Sequence, residues 1–423
     1  MKKSGFLHFL AQTKLFWGLA VLYGLGVLLS PVNRKGVNIF LSAGNQSDVL
    51  RQVSINGIIA VGMTLVILTG GIDLSVGSLL SLGTMYAAML FTLQGWTSAS
   101  TTAIPLLAIV CVVAGTYLVP LASQNWAPDK LKASATTPLS VRIAGIVAGL
   151  VLGFAAVAWT SSQLDTKFGV AAILVTVPAA GLAVGALTGI IIAKGKLQPF
   201  IVTLAMMVAV TGVSRLIAGP NAAIYPIYSG TNAPAEVDIL REDFFGILPI
   251  QGIIFLLLVT IFGFVLKYTS FGRYVYAIGG NEQAARVAGI RVDDVKVTVY
   301  ALSGGLSALA GILYAVQYRQ GKPEAGAGAE LDAIAAVVIG GTSLAGGKGS
   351  MIGTLVGVLI FGFLGNILIL KNIDSNLQLV LKGLIILGAV FLQEGQFGTL
   401  LKRLRGSFRS PSVPVPRATS NTP

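Results

Sequence analysis

Long apolar runs separated by short polar breaks make up most of the chain. They fall near residues 15–30, 53–69, 77–93, 103–122, 140–160, 168–193, 200–218, 248–267, 297–318, 331–341, 350–370 and 376–393. Most approach the ~20 residues that a helix needs to cross a bilayer, and the run at 331–341 is short. The pattern predicts an all-α fold, a polytopic transmembrane helix bundle of about ten to twelve spans, some of them short or broken. Lys2, Lys3 and Lys14 flank the first run as they would a secretory signal. No small-residue cleavage site follows it, so it is expected to stay as the first span.

The polar breaks carry the charge, and their signs orient the bundle. With the N-terminus inside, nineteen of the 29 Lys and Arg residues lie on the inner side and nine on the outer, with Lys382 inside a span. Both termini are therefore expected in the cytoplasm. The outer loop 219–247 holds Glu236, Asp238, Glu242 and Asp243 and reads as periplasmic. Residues 1–405 form the membrane domain, and 406–423, rich in Ser, Pro and Arg, read as a disordered cytoplasmic tail.

Composition narrows the function. The residues are 54% hydrophobic and 11% charged, less than half the charge of a soluble domain. The net charge of +13 would suit nucleic acid, but it sits in loops between spans, where it sets orientation instead. Lone His8 and Cys111 leave no cluster with metal-ligand spacing and no Ser–His–Asp set for a catalytic residue. The run GGTSLAGGKGS is not a P-loop, because Thr342 stands where glycine is required and Gly349 follows Lys348 in place of Ser or Thr. The chain has no ATP site of its own.

Three features remain as candidate chemistry. The longest polar interruption with helical pattern, Ser270 to Lys296, contains a short helix that Asn281 can cap, with Glu282 in its first turn and Gly289 ending it. Such a helix between spans suits docking of a cytoplasmic partner, or it is an ordinary solvated loop. The second feature is a pair of stretches that align without gaps: Gly70, Gly71, Leu74 and Gly77 face Gly340, Gly341, Leu344 and Gly347. Glycine-interrupted spans in two halves of a transporter point to its pathway, so Gly70, Gly71, Asp73, Ser75, Gly340, Gly341 and Thr342 are pathway candidates. Asp73 is costly in hydrocarbon and is expected to be paired, to line a wet cavity, or to cap the next helix. The third is the rows Gly145, Gly149, Gly153 and Gly181, Gly185, Gly189, whose spacing lets helix backbones approach closely.

Four stretches carry a family resemblance. AIGGNEQAARVAGI from Ala277, GGIDLSVGSLLSLG from Gly70, ELDAIAAVVIGGTSLAGG from Glu330 and LQPFIVTLAMM from Leu197 resemble the membrane permeases of bacterial ABC importers for ribose, galactose and xylose. The resemblance implies a permease subunit of the bacterial inner membrane that passes a monosaccharide from periplasm to cytoplasm. It implies a cytoplasmic ABC ATPase as partner, which uses ATP and Mg while this chain binds no cofactor. It also implies a periplasmic sugar-binding protein and a second permease subunit, identical or paralogous. Gly279, Gly280, Asn281, Glu282, Ala284, Ala285, Arg286 and Gly289 would couple the ATPase to the spans. That family has about ten spans, so 103–160 is expected to be an inserted helical hairpin. Two alternatives stay open: an ion-coupled secondary transporter, which needs intramembrane acids that the spans scarcely hold, and a membrane-embedded enzyme.

Overall fold

The computed structural model describes residues 3–92, 169–219 and 224–393. The expected hairpin at 103–160, the Gly145 row and the tail at 406–423 lie outside them. The chain divides into a unit ending at Ile373 and a second from Asp374 onward. In the first, helices follow one another as α1 (Lys3–Leu29), α2 (Ala43–Leu68), α3 (Val76–Thr92), α4 (Val170–Gly195), α5 (Pro199–Ala218) and α6 (Ile250–Tyr268). Then come α7 (Ser270–Gly280), α8 (Glu282–Val287), α9 (Val292–Tyr318), α10 (Ala329–Ile339) and α11 (Met351–Leu370). The second unit contains α12 (Ser375–Gln393). The fold is the all-α polytopic bundle that the apolar runs predict.

Six helices among the described residues are long and apolar enough to cross a membrane. Four of them lie within two residues of the runs seen in the sequence: α5, α6, α11 and, at its C-terminus, α4. Two start much earlier. α9 begins at Val292, where Asp293 and Asp294 place negative charge on the positive end of the helix. α2 begins at Ala43 behind the cap Ser42, and its polar first turns are held by Arg51, which pairs with Asp243 at 2.6 Å. Tertiary contact there extends the helix beyond its apolar run.

α2 and α9 form the centre, each about 78% buried over its most apolar window. Backbones can meet there because the facing residues are small. A Cβ on Gly181, Gly185 or Gly189 of α4 would strike α9 at Gly304, Tyr300 and Val297. Gly83 of α3 lies against Ala308, and Gly311 of α9 lies against the Leu80 carbonyl. The glycine row of α4 therefore packs within the chain, so that α9 is enclosed by α2, α3 and α4. Buried hydroxyls return to their own helix or cross to a neighbour: Thr64 Oγ1 shares a 2.7 Å bond with Thr354 Oγ1 of α11.

At one end of the bundle the segment from Ile224 to Pro249 folds over the helix ends. Tyr225–Pro226 (β1) pairs with Gln320–Gly321 (β4), and Asp243–Phe244 (β2) with Leu248–Pro249 (β3). Between them the 3₁₀ turn Ala235–Arg241 inserts Val237 and Leu240 beside Phe91, Ile173 and Val316. Arg319 reaches Asp238 at 3.3 Å. Hydrogen bonding by Ser229 is the main reason that the Asp238 carboxyl lies below its usual range, and Arg319 and Arg241 add to it against the opposing effect of burial.

Candidate functional site

The other end of the bundle brings together the sequence's candidate residues. The polar interruption forms two short helices: α8, which Asn281 caps as the sequence leads one to expect, and α7 before it, which the sequence does not separate. Thr269 caps α7 by accepting from the Gly272 amide at 3.3 Å. Asn281 leaves the helical region at φ −162°, ends α7 and caps α8 by accepting from the Ala284 amide at 2.9 Å. Gly279 and Gly280 thus close one helix, and Gly289, at φ +83°, follows the end of the next.

α7 buries Gly272, Val275 and Ile278 against the bundle, and α8 buries Ala285. Ala285, one of the residues expected to couple to a partner, therefore faces the chain's own interior. The outer face of α8 consists of Gln283, Ala284, Val287 and Ala288, with Val287 90% exposed. Val287 was not singled out from the sequence, although it is the sole large apolar residue of a six-residue polar helix.

Ion pairs fasten α8 to the start of α9. Glu282 accepts from Arg286 at 3.0 Å and from Lys296 at 2.7 Å, and Arg286 also reaches Asp293 at 2.6 Å. Partial burial would raise the Glu282 carboxyl, but hydrogen bonds from Lys296 and Arg286 outweigh it and hold the group below its usual range. Hydrogen bonds to Asp293 and Glu282 hold the Arg286 guanidinium above its usual range. Because the folded carboxyl is depressed, its contribution to holding α8 is complete above the ordinary carboxylate pKa and is lost as pH falls through the depressed value. The protection factors of the α8 amides, corrected for the intrinsic exchange rate, should therefore be flat at neutral pH and fall only in acid, and Glu282→Gln should remove that acid step. An acid step unchanged by Glu282→Gln would assign it to another group.

α7 ends directly on the glycine turns. A Cβ on Gly279 would collide with the Leu68 carbonyl oxygen and the Gly347 nitrogen, atoms that are themselves hydrogen-bonded at 3.0 Å. Tyr276 donates from its hydroxyl to the Gly349 carbonyl at 2.9 Å. The end of α2, the 340–349 loop after α10, and α7 therefore form one junction of close backbone contacts.

Both glycine turns finish their helices in the same way. After α2, the Gly70 and Gly71 amides donate to Ile67 and Val66, and after α10 the Gly341 and Thr342 amides donate to Val338 and Val337. Gly70 at φ +78° corresponds to Gly341 at φ +87°. The ungapped alignment of Gly70 with Gly340 is thus off by one in backbone terms, although each glycine pair does follow a helix end. A Cβ on Gly340 would meet the Gly353 carbonyl, whereas one on Gly341 has open space and only the left-handed backbone to overcome, about 1–2 kcal/mol. Gly340→Ala should accordingly lower thermal stability of the purified protein more than Gly341→Ala; the reverse order would show that the two backbones do not touch.

The remaining pathway candidates lie inside the packed chain. Asp73, 1% exposed, accepts from the Ser75 amide at 3.0 Å and hydroxyl at 2.6 Å, and from the Ser303 hydroxyl of α9 at 2.8 Å. It is paired, as its cost in hydrocarbon requires, and ties the α2–α3 turn to α9. It stands three residues before Val76, so it does not cap α3 directly. Ser75 and Thr342 are buried, Gly71 packs against the Tyr300 hydroxyl, and Thr203 of α5 donates to the Ile72 carbonyl at 3.3 Å. Among the described residues no group of three or more His, Cys, Asp or Glu could hold a metal ion.

Comparison with known proteins matches residues 45–124 and 141–390 to the family described as branched-chain amino acid transport system / permease component. The match is interrupted between 124 and 141, inside the stretch expected to be a hairpin. The chain is 37% identical to the ribose import permease protein RbsC of Escherichia coli K12 over 380 residues, 88% of this chain and 92% of that protein. It is 38% identical to RbsC of Bacillus subtilis 168 over 378 residues, covering 89% and 91%. It is 36% identical to the xylose transport system permease protein XylH of Escherichia coli K12 over 359 residues, covering 84% and 85%. No solved structure matches it. A helical bundle with several membrane-spanning helices, matched over most of its length, places the chain in the family of transport-system permease components.

Proposed function

We propose that the chain is the transmembrane subunit of an ATP-driven importer that moves a monosaccharide from the periplasm to the cytoplasm across the bacterial inner membrane. The observation that carries the reading is the junction of α7 with the glycine turns, in a chain 36–38% identical to ribose and xylose permeases. α8 presents a face of small residues with Val287 at its centre, on which a cytoplasmic ATPase docks. The ATPase uses ATP and Mg, and closure of its nucleotide sites pushes on α8. α7 passes the push through Gly279 to the end of α2 and the loop after α10. These helices then tilt relative to α9, with Asp73 and Ser303 as the pivot between them. A periplasmic binding protein delivers the sugar at the end built by residues 224–249, and a second permease subunit completes the pathway. The permease itself needs only to favour one of two states when sugar is present.

The family description favours a second substrate class, branched-chain amino acids. Uptake decides between them. Cells expressing the chain with its ATPase should accumulate labelled ribose or xylose and not leucine; accumulation of leucine alone would reverse the assignment. Sidedness has its own test. Thiols introduced by Ala235→Cys and Gln283→Cys in a Cys111→Ser background, both at exposed positions, should label from opposite faces of the membrane. Labelling of both by an impermeant reagent in intact spheroplasts would break the topology.

A further inference from the structure

A cavity of about 170 Å³ opens between α2, the C-terminal end of α9 and the start of α10, away from the α7 junction. Its volume equals that of about six liquid waters, the scale of one monosaccharide ring and too small for two. Gln52 and Asn56 line it from α2, one turn apart and so on one face. Tyr314 and Tyr318 line it from α9, also one turn apart, with ring centroids 4.4 Å from each other and planes tilted by 42°. Asp332 enters from the first turn of α10, and alanines of the preceding loop complete the wall. We infer that this cavity is a monosaccharide-binding station on the transport pathway, an inference that rests on the importer reading above.

The chemistry fits a neutral sugar. Amide side chains offer both a donor and an acceptor, and a carboxylate accepts two hydroxyls, which together suit the alternating donors and acceptors of a polyol ring. The C–H faces of a sugar ring pack on the flat π-faces of tyrosines, whose hydroxyls remain free to bond outward. Among the described residues no Lys or Arg lines the cavity, so none of them would neutralise the carboxylate of an amino acid. The station also joins the moving parts. Asn56 lies midway along α2, whose far end carries the Leu68 contact with Gly347, and Asp332 lies on α10, whose far end carries the Gly340–Gly341 turn. A tilt of α2 and α10 against α9 would change the spacing of Asn56 and Asp332 from the tyrosines, and with it the grip on the sugar.

The test uses the full chain with its ATPase and binding protein in cells, with ribose and xylose as probes. The thiol introduced by Asn56→Cys in the Cys111→Ser background is labelled during uptake; a transported pentose should slow its labelling severalfold, and a pentose that is not transported should leave it unchanged. Tyr314→Leu should lower uptake at subsaturating sugar about tenfold, equivalent to about 1.4 kcal/mol, while Tyr314→Phe keeps it. Gln52→Leu should shift the ratio of ribose to xylose uptake, which a purely structural residue would not do. If the wild-type chain imports sugar, yet labelling is insensitive to it and the ratio does not move, the station is overturned and the importer reading survives. If the wild-type chain imports neither pentose and takes up leucine instead, the importer reading itself fails, and this station with it.

Discussion

Gly279→Val is expected to abolish transport, whereas Gly280→Ala, one residue further, is expected to leave it near wild type. The side chain at 279 would have to occupy the space of the Leu68 carbonyl and the Gly347 amide. Neither can step aside: Leu68 ends α2, and Gly347 donates to it from a loop held in left-handed conformations at Gly346 and Gly347. Overpacking against side chains costs about 1–3 kcal/mol, and backbone yields less readily than side chains do. At Gly280 nothing lies within 4 Å, so a methyl group meets open space. The measurement is sugar uptake together with the amount of permease in the membrane. Loss of uptake with normal insertion in Gly279→Val identifies the contact as the transmitting one. Equal activity in the two variants would show that α7 can separate from the turns without consequence.

Glu282→Lys is expected to uncouple ATP hydrolysis from uptake or to release the ATPase. The wild-type carboxylate joins Arg286 and Lys296, and Arg286 in turn joins Asp293. Lysine at 282 would face two cations at the distances at which the carboxylate now faces them, and α8 would lose its tie to Lys296 of α9, keeping only that of Arg286 to Asp293. These side chains are partly exposed, so each pair alone is weak; as a network they fix the direction of a helix only six residues long. Membrane insertion should not change, because α8 lies outside the spans. A companion variant, Val287→Asp, alters the outer face without touching the network and should weaken ATPase co-purification alone. Ala285→Trp has a different meaning: that position is buried, and the variant reports on the fit of α8 to its own bundle. Wild-type hydrolysis, co-purification and uptake in Glu282→Lys and Val287→Asp together would move the docking surface elsewhere.

Much of the fold is legible in the chain because lipid imposes one rule, a long apolar run for each crossing. The short α10, the Asn281 cap and the helix-ending Gly289 follow from residue types alone. What escapes is set by tertiary contact. α2 extends through Gln46, Asp48, Arg51 and Gln52, polar residues that periodicity assigns to a loop, because Arg51 finds Asp243 nearly two hundred residues away in sequence. That extension places Gln52 on the wall of the cavity, so the site was hidden along with the helix. The orientation of α8 was equally invisible, since Ala284, Ala285 and Ala288 are chemically alike and only packing decides which is buried. In a Gly–Gly pair the sequence does not say which residue takes the positive φ. It is the first after α2 and the second after α10.

The most direct test of the coupling mechanism is sugar accumulation in sealed vesicles that hold the chain, its co-purified ATPase and the binding protein on the outer side. ATP supplied on the α8 side should drive ribose or xylose inward against its gradient. Collapse of the proton gradient should leave this unchanged, and Glu282→Lys should remove the uptake while the permease remains inserted. Uptake that continues without ATP and stops when the proton gradient is collapsed would contradict it, and would make this chain an ion-coupled transporter.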